Sequence, residues 1–388
     1  MSRRSSPSRR LRKRVNRRLY GGLFRVYRAV LPTARWTGAL RPAAVRRVLV
    51  VQPYGVGDMI LTTPLLSFLR EQLPDAEIDV LASSRNASVL AGDPCVARVY
   101  VHDGTRLGWL RILPRLRARG YDVIFSGQAG RGLREGLTAS AVARRWTYKV
   151  SLWRPKRYHG LFTAIIRVPP SVSHTADRLL YMAQRALGVE PPAATARRYP
   201  PRVATDTRAE ATAEAFVAER GLTTYVVVNV SSHFASRDWD PRRCADVLKL
   251  LLERHADLTV VVTRAPGKER AAEEVAAHCA SRRVLVAPAM SLLAVAALVR
   301  RSLAVVTTET SLIHIASACR RPAVVLYAPE SPREVAHWLP LGVPYRALVS
   351  RRRDGMSDVP PEQVADAFDE LLREAAGPAG TGTASAQR

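Results

Sequence analysis

Residues 48–64 read VLVVQPYGVGDMILTTP, in which an aliphatic run enters a turn bearing Gly55 and Gly57 and then a helical pattern that opens at Asp58. A strand that is apolar at every position is buried on both faces, and that implies a parallel sheet covered by helices. Open sheets of this kind bind ligands at their carboxyl edge, which is where the turn falls, so Gly55, Gly57 and Asp58 form a candidate active-site loop. The dinucleotide fingerprint GxGxxG fails because Ile60 stands at its third glycine position, so no nicotinamide cofactor is indicated. By position alone, Asp58 is either a reactive carboxylate or a helix cap.

The same alternation continues along the chain. β-Branched runs at 48–52, 78–82, 121–126, 225–230, 258–263, 303–307 and 323–327 predict strands, and helical spacing predicts helices over 61–72, 209–220, 242–254, 269–280, 292–301 and 311–319. The pattern lapses at prolines 191, 192, 200 and 201. That stretch reads as a linker between two α/β halves. The expected organisation is therefore a basic arm (1–45), a first Rossmann-like half (46–190), the linker (191–203), a second half (204–375) and a small-residue tail (376–388). Residues 361–374 are expected to form a helix that closes the second half or packs back on the first. No internal repeat is visible.

At 388 residues and 47% hydrophobic, the chain is long enough for two packed domains, and disorder throughout is excluded. No stretch supplies the roughly 20 apolar residues of a membrane-spanning helix. The four cysteines form no CxxC pair, which suggests neither a zinc site nor a disulfide framework and points to a reduced, cytoplasmic setting. The net charge of +27 is concentrated at the start: residues 1–57 carry fifteen Arg or Lys and no acidic residue before Asp58. Within that arm Leu11, Val15, Leu19, Leu23, Val26, Tyr27 and Val30 recur at helical spacing among arginines. Residues 9–31 thus read as an interfacial helix for an anionic membrane surface. The plainer alternatives are a solvated basic tail or nonspecific nucleic-acid contact, and no binding module for a specific nucleic acid is recognisable.

Two further stretches carry candidate chemistry. After the strand at 225–230 come Ser231, Ser232 and Arg237, two hydroxyls and a guanidinium suited to phosphate oxygens. Asp238 and Asp240 match a DxD metal motif, although Asp240 before Pro241 also makes a good helix N-cap. The strand at 303–307 leads to Glu309, Thr310 and Ser311 at a helix start, with His314 one turn in. Such a start favours an anion such as phosphate.

Together these motifs resemble glycosyltransferase family 9, the family of the lipopolysaccharide heptosyltransferases. Gly57 to Pro64 is similar to its G-D-x-x-x-T-x-P signature, Tyr121-Asp122-Val-Ile-Phe to its second strand motif, and Arg237-Asp-Trp239 to its K-x-W motif with Arg for Lys. Residues 305–318 resemble V-V-G-x-D-T-G-x-x-H-x-A-x-A, with Thr307, Glu309 and Ser311 in place of Gly, Asp and Gly. The resemblance implies a GT-B fold and inverting sugar transfer from a nucleotide donor, with neither metal nor cofactor. The acceptor would be a lipid-linked or cell-envelope glycan, and the enzyme would sit on the inner face of the cytoplasmic membrane. Carried over by position, Asp58 would be the catalytic base. Ser231, Ser232, Arg237, Glu309, Thr310, Ser311 and His314 would bind the donor. A helix N-terminus favours an ionised carboxylate, which makes Asp58 a weak base, so proton removal is expected late in an oxocarbenium-like reaction. Two readings compete: a non-catalytic family member working through its basic arm, and a metal-dependent transferase using Asp238 and Asp240.

Overall fold

The computed structural model describes residues 40–127, 133–152, 160–190, 195–232, 237–264, 267–328, 332–352 and 355–376. The expected membrane helix at 9–31 and the tail from 377 lie outside the described residues, as do residues 233–236 beside the candidate site.

Two six-stranded sheets organise the chain. The first contains β1 (Arg47–Val51), β2 (Glu77–Ser83), β3 (Arg98–His102), β4 (Val123–Ser126), β5 (Tyr148–Leu152) and β6 (Ala164–Ile166) in the order β3-β2-β1-β4-β5-β6. The second contains β7 (Tyr225–Asn229), β8 (Thr259–Thr263), β9 (Val284–Val286), β10 (Ala304–Thr308), β11 (Ala323–Tyr327) and β12 (Tyr345–Val349) in the order β12-β11-β10-β7-β8-β9. Every pairing is parallel. Numbered within each half, both orders are 3-2-1-4-5-6, so the chain repeats one topology although its sequence shows no repeat. This is the two-Rossmann GT-B architecture that the resemblance implied. Each sheet has its topological switch point between its first and fourth strands, at β1/β4 and at β7/β10.

Thirteen α-helices among the described residues connect and cover the sheets: α1 (Val56–Ile60), α2 (Thr63–Gln72), α3 (Arg106–Arg119), α4 (Leu133–Val142), α5 (Thr175–Leu187), α6 (Thr195–Arg198), α7 (Thr207–Glu219), α8 (Pro241–Arg254), α9 (Glu269–Cys279), α10 (Leu292–Arg301), α11 (Leu312–Ala318), α12 (Pro332–Trp338) and α13 (Pro361–Ala376). The helix predicted over 61–72 is α2, which starts at Thr63, and the short α1 precedes it. Pro64 has no N–H to return to the Ile60 carbonyl, and the Thr63 hydroxyl donates to that oxygen instead, at 2.7 Å. α8 buries Cys244, Val247, Leu248, Leu251 and Leu252, a one-sided stripe at spacings of three and four. α13 packs on α8, β11 and β12, so it closes the second half.

On the outer face of the first sheet, α3 and α4 enclose a core with Leu49, Leu81 and Ile124. The inner faces share one core that runs from Val48, Val50 and Leu180 through Leu298 to Val305 and Ile313 of the second half. Polar contacts also cross between the halves. His174 accepts from the Ala176 N–H at Nδ1, which leaves Nε2 to donate to the Leu339 carbonyl at 3.1 Å. His337 bonds the Ser173 carbonyl. The linker residue Arg202 grips Asp93 at 2.9 Å, tying the linker to the first half.

Candidate active site

β1 ends at the loop that opens α1, and buried polar side chains brace that loop. Asn86, fully buried, donates to the Gln52 carbonyl at 2.9 Å and the Tyr54 carbonyl at 3.3 Å while accepting from the Ser83 N–H at 2.8 Å. Gln52 donates to Thr62 Oγ1 at 3.0 Å, and Thr62 in turn donates to the Asp58 carbonyl at 2.7 Å. Asp58 Oδ2 accepts from the Gly55 N–H at 3.0 Å. A Cβ on residue 55 would lie 2.8 Å from that oxygen, so a larger residue there would push the carboxylate out of its place. Asp58 is therefore a cap, as its position allowed, and its half-buried carboxylate is held at the carboxyl edge beside the β1/β4 switch point.

Thr62 is the threonine of the G-D-x-x-x-T-x-P match, whereas Asn86 and Gln52 belong to no motif in the sequence. A buried Asn in a loop after a strand carries no local pattern until the fold brings residue 52 to it.

The second half presents its candidates at the β7/β10 switch point. Asn229, the last residue of β7, donates to the Ser231 carbonyl at 3.0 Å and to Thr307 Oγ1 at 3.3 Å, lashing the two strand ends together. Ser231 and Ser232 are buried there, and Ser231 Oγ has no hydrogen-bond partner among the described residues. Thr307 and Thr310 share a hydroxyl–hydroxyl bond of 3.1 Å, and Thr310 Oγ1 accepts from the Leu312 N–H at 3.2 Å. Arg237 NH1 meets Glu309 Oε1 at 3.0 Å. Asp238 is a clamp: one oxygen accepts from the Ser232 N–H at 2.6 Å and the other from Lys268 Nζ at 2.5 Å. Lys268, absent from the sequence reading, thus brings a second cation to the Ser232 strand end from the loop after β8. Asp240 caps α8 by accepting from the Arg242 and Arg243 N–H groups, with Pro241 at the first helical position. Both carboxylates of the DxD match are thereby engaged by the protein.

The three departures in the 305–318 motif now have local accounts. The Thr307 hydroxyl sits in the strand-end network, donating to the Thr308 carbonyl at 2.9 Å. Glu309, one methylene longer than Asp, meets Arg237. Ser311 has φ −62° and ψ −17°, ordinary helical angles that need no glycine.

The two edges meet where α1 faces α11. A Cβ on Gly57 would fall 2.6 Å from His314 Cδ2 and 3.6 Å from Ser311 Cα. His314 is 4% exposed and its ring lies 6.1 Å from that of Trp338. Burial, with a smaller contribution from His174, pushes the imidazole down to about 3, so it is neutral at pH 7. The structure brings together Gly55, Gly57 and Asp58 on one side with Ser311 and His314 on the other, and it gathers Ser231, Ser232, Arg237, Glu309 and Thr310 at the adjoining strand ends. Asp122, from the second strand motif, is elsewhere: it accepts from the Arg46 and Arg47 N–H groups at the amino edge.

This arrangement sets a carboxylate on one half against hydroxyls and two cations on the other. Such a junction suits bond formation at an acceptor with an anionic group departing on the opposite side.

Residues 109–360 match the model of glycosyltransferase family 9 (heptosyltransferase). Lipopolysaccharide heptosyltransferase 3 of Escherichia coli strain K12 is 24% identical over 346 residues, covering 82% of this chain and 96% of that protein. Among solved structures, the family 9 glycosyl transferase from Veillonella parvula DSM 2008 superposes with a TM-score of 0.73 at 20% identity, covering 85% of this chain and 97% of that one. The E. coli ADP-heptose lipopolysaccharide heptosyltransferase II superposes with a TM-score of 0.67, also at 20% identity, over 85% and 100%.

Proposed function

The chain belongs to glycosyltransferase family 9, and we propose that it transfers a heptose or similar sugar, with inversion and without a metal, from a nucleoside-diphosphate donor to a cell-envelope glycolipid. The observation that carries this reading is the approach of Gly57 to Ser311 and His314, which sets the Asp58 loop of one half against the donor-type motif of the other. The name of the E. coli ADP-heptose lipopolysaccharide heptosyltransferase II supports ADP-heptose as the first donor to try.

In the proposed reaction an acceptor hydroxyl sits beside Asp58 and its oxygen attacks the anomeric carbon. The bond from that carbon to the phosphate oxygen breaks on the opposite face, and the hydroxyl proton passes to Asp58. Positioning contributes more than basicity, because the leaving group departs early. Arg237, Lys268 and the hydroxyls of Ser231, Ser232 and Thr310 face the departing diphosphate, whose negative charge they stabilise in place of a metal. The basic segment 9–31, in this reading, keeps the first half at an anionic inner-leaflet surface where the acceptor is held.

A thermal-shift screen of nucleoside diphosphates and their sugars at low salt, with and without EDTA, tests this. The expected result is a rise in melting temperature with one nucleotide, indifferent to EDTA and lost in Arg237→Ala. Absence of any shift would favour the non-catalytic alternative; a shift lost with EDTA and restored by manganese would favour the metal-dependent one.

A further inference from the structure

Most of the large apolar side chains that the described residues expose lie on the first half. Leu107, Leu110 and Trp146 are 55%, 68% and 79% exposed. α3 buries Trp109, Ile112, Leu113 and Leu116 against the outer face of the sheet, and its opposite side, from Leu107 through Leu110, Arg111, Pro114 and Arg115, forms an exposed stripe. The helix contains five arginines and no acidic residue. At its carboxyl end, Arg144 donates to the Ala118 carbonyl at 3.1 Å, which brings the next two residues alongside, and Arg145 stands 5.0 Å over the Trp146 ring. Of the five helix arginines, Arg119 is turned inward to Glu77 at 2.8 Å and Asp79 at 3.0 Å, away from the exposed stripe, and Asp103 before the start of the helix is turned to the Thr105 N–H and hydroxyl.

We propose that this α3 stripe together with Arg145 and Trp146 is a docking surface for an anionic lipid bilayer, separate from the basic arm. A solvent-facing helix gains nothing from leucines at 107 and 110, whereas leucines flanked by arginines, with a tryptophan at one end, suit the boundary between headgroups and acyl chains. Charge selects the occupant. A second copy of this chain would present the same arginines and be repelled, while acidic headgroups complement them. α3 starts after β3, at the same sheet edge as Asp58, so the Leu107 end of the docked surface lies on the cleft side. The surface does not depend on which donor or acceptor the enzyme uses.

All four native cysteines are buried, so Leu110→Cys in the full-length protein is selectively labelled with an environment-sensitive fluorophore, and Lys249→Cys, 47% exposed on α8 of the second half, serves as the control site. With vesicles of phosphatidylethanolamine and phosphatidylglycerol, emission at 110 is expected to brighten and shift to the blue while 249 stays unchanged; pure phosphatidylcholine gives no change at either site. The unlabelled variant Leu107→Glu/Leu110→Glu is expected to partition at least about tenfold less onto the anionic vesicles. Sedimentation with vesicles but no change at 110 would overturn the proposal and assign binding to the arm. An equal change at 249, or no sedimentation of the wild type, would overturn it as well. Because no readout involves turnover, failure here is distinct from failure of the transferase reading.

Discussion

Arg237 and Glu309, two of the positions at which the chain departs from its family's motifs, form an ion pair of 3.0 Å across the ends of β7 and β10. The planar guanidinium and the longer carboxylate fit one another, so the two departures are a matched pair. A lysine at 237 offers a point charge, and an aspartate at 309 is shorter by one methylene.

Arg237→Lys and Glu309→Asp, made singly, are each expected to weaken nucleotide binding by about 3- to 30-fold, since one partner of a largely desolvated pair is misplaced. The double substitution restores the family's own combination and should recover much of the loss. Calorimetric binding constants for the four proteins of this cycle check it, and strictly additive losses would show that the pair does not act as a unit.

Asp58→Asn keeps an oxygen able to accept from the Gly55 N–H, so the loop should hold its shape. Turnover is expected to fall by about 10³-fold or more, because proton acceptance is lost, while the donor dissociation constant changes little. Single-turnover rates beside donor titrations separate the two quantities. Near-normal turnover would remove Asp58 from the chemistry.

Gly57→Ala places a methyl group 2.6 Å from the His314 ring. The neighbour belongs to the other half, so relief requires α1 and α11 to part, at a cost of about 1–3 kcal/mol in stability. The expected signature is a larger loss in kcat than in donor affinity, measured with a denaturation curve alongside steady-state kinetics.

His314 sets a pH dependence. Its folded value of about 3 lies below the ordinary 6.5, so between those values the unfolded chain binds the proton and the folded chain does not. The stability contributed is complete above pH 6.5 and is lost as pH falls toward 3. From pH 7 to pH 5 the loss is about 2 kcal/mol. Burial lowers His174 in the same direction. Urea unfolding at the two pH values should show a smaller difference for His314→Gln than for the wild type.

The central strands were legible because they are buried on both faces. β1, β7, β8, β10 and β11 are each built on a run of two to four consecutive Val or Leu residues that no other element explains. The edge strands were not, because water reaches them and their composition follows. β3 reads RVYVH, β6 is the three residues AII, and β12 reads YRALV with every position at least partly exposed. β5 is buried but carries Lys149 and Ser151, which broke the apolar run. α3 was missed because its five arginines and Pro114 hide the buried side that Trp109, Ile112 and Leu116 provide.

By itself the sequence determined the α/β class, the two halves, the family and the identity of the motif residues, since each depends on local runs and spacing. Tertiary structure alone decided that Arg237 meets Glu309, that Asp238 clamps Lys268 beside Ser232, that Gly57 abuts His314, and that two unlike sequences share one strand order. Those relationships join residues 30 to 257 positions apart. Parallel crossovers and the packing of one half on the other create them, and no window of sequence contains both partners.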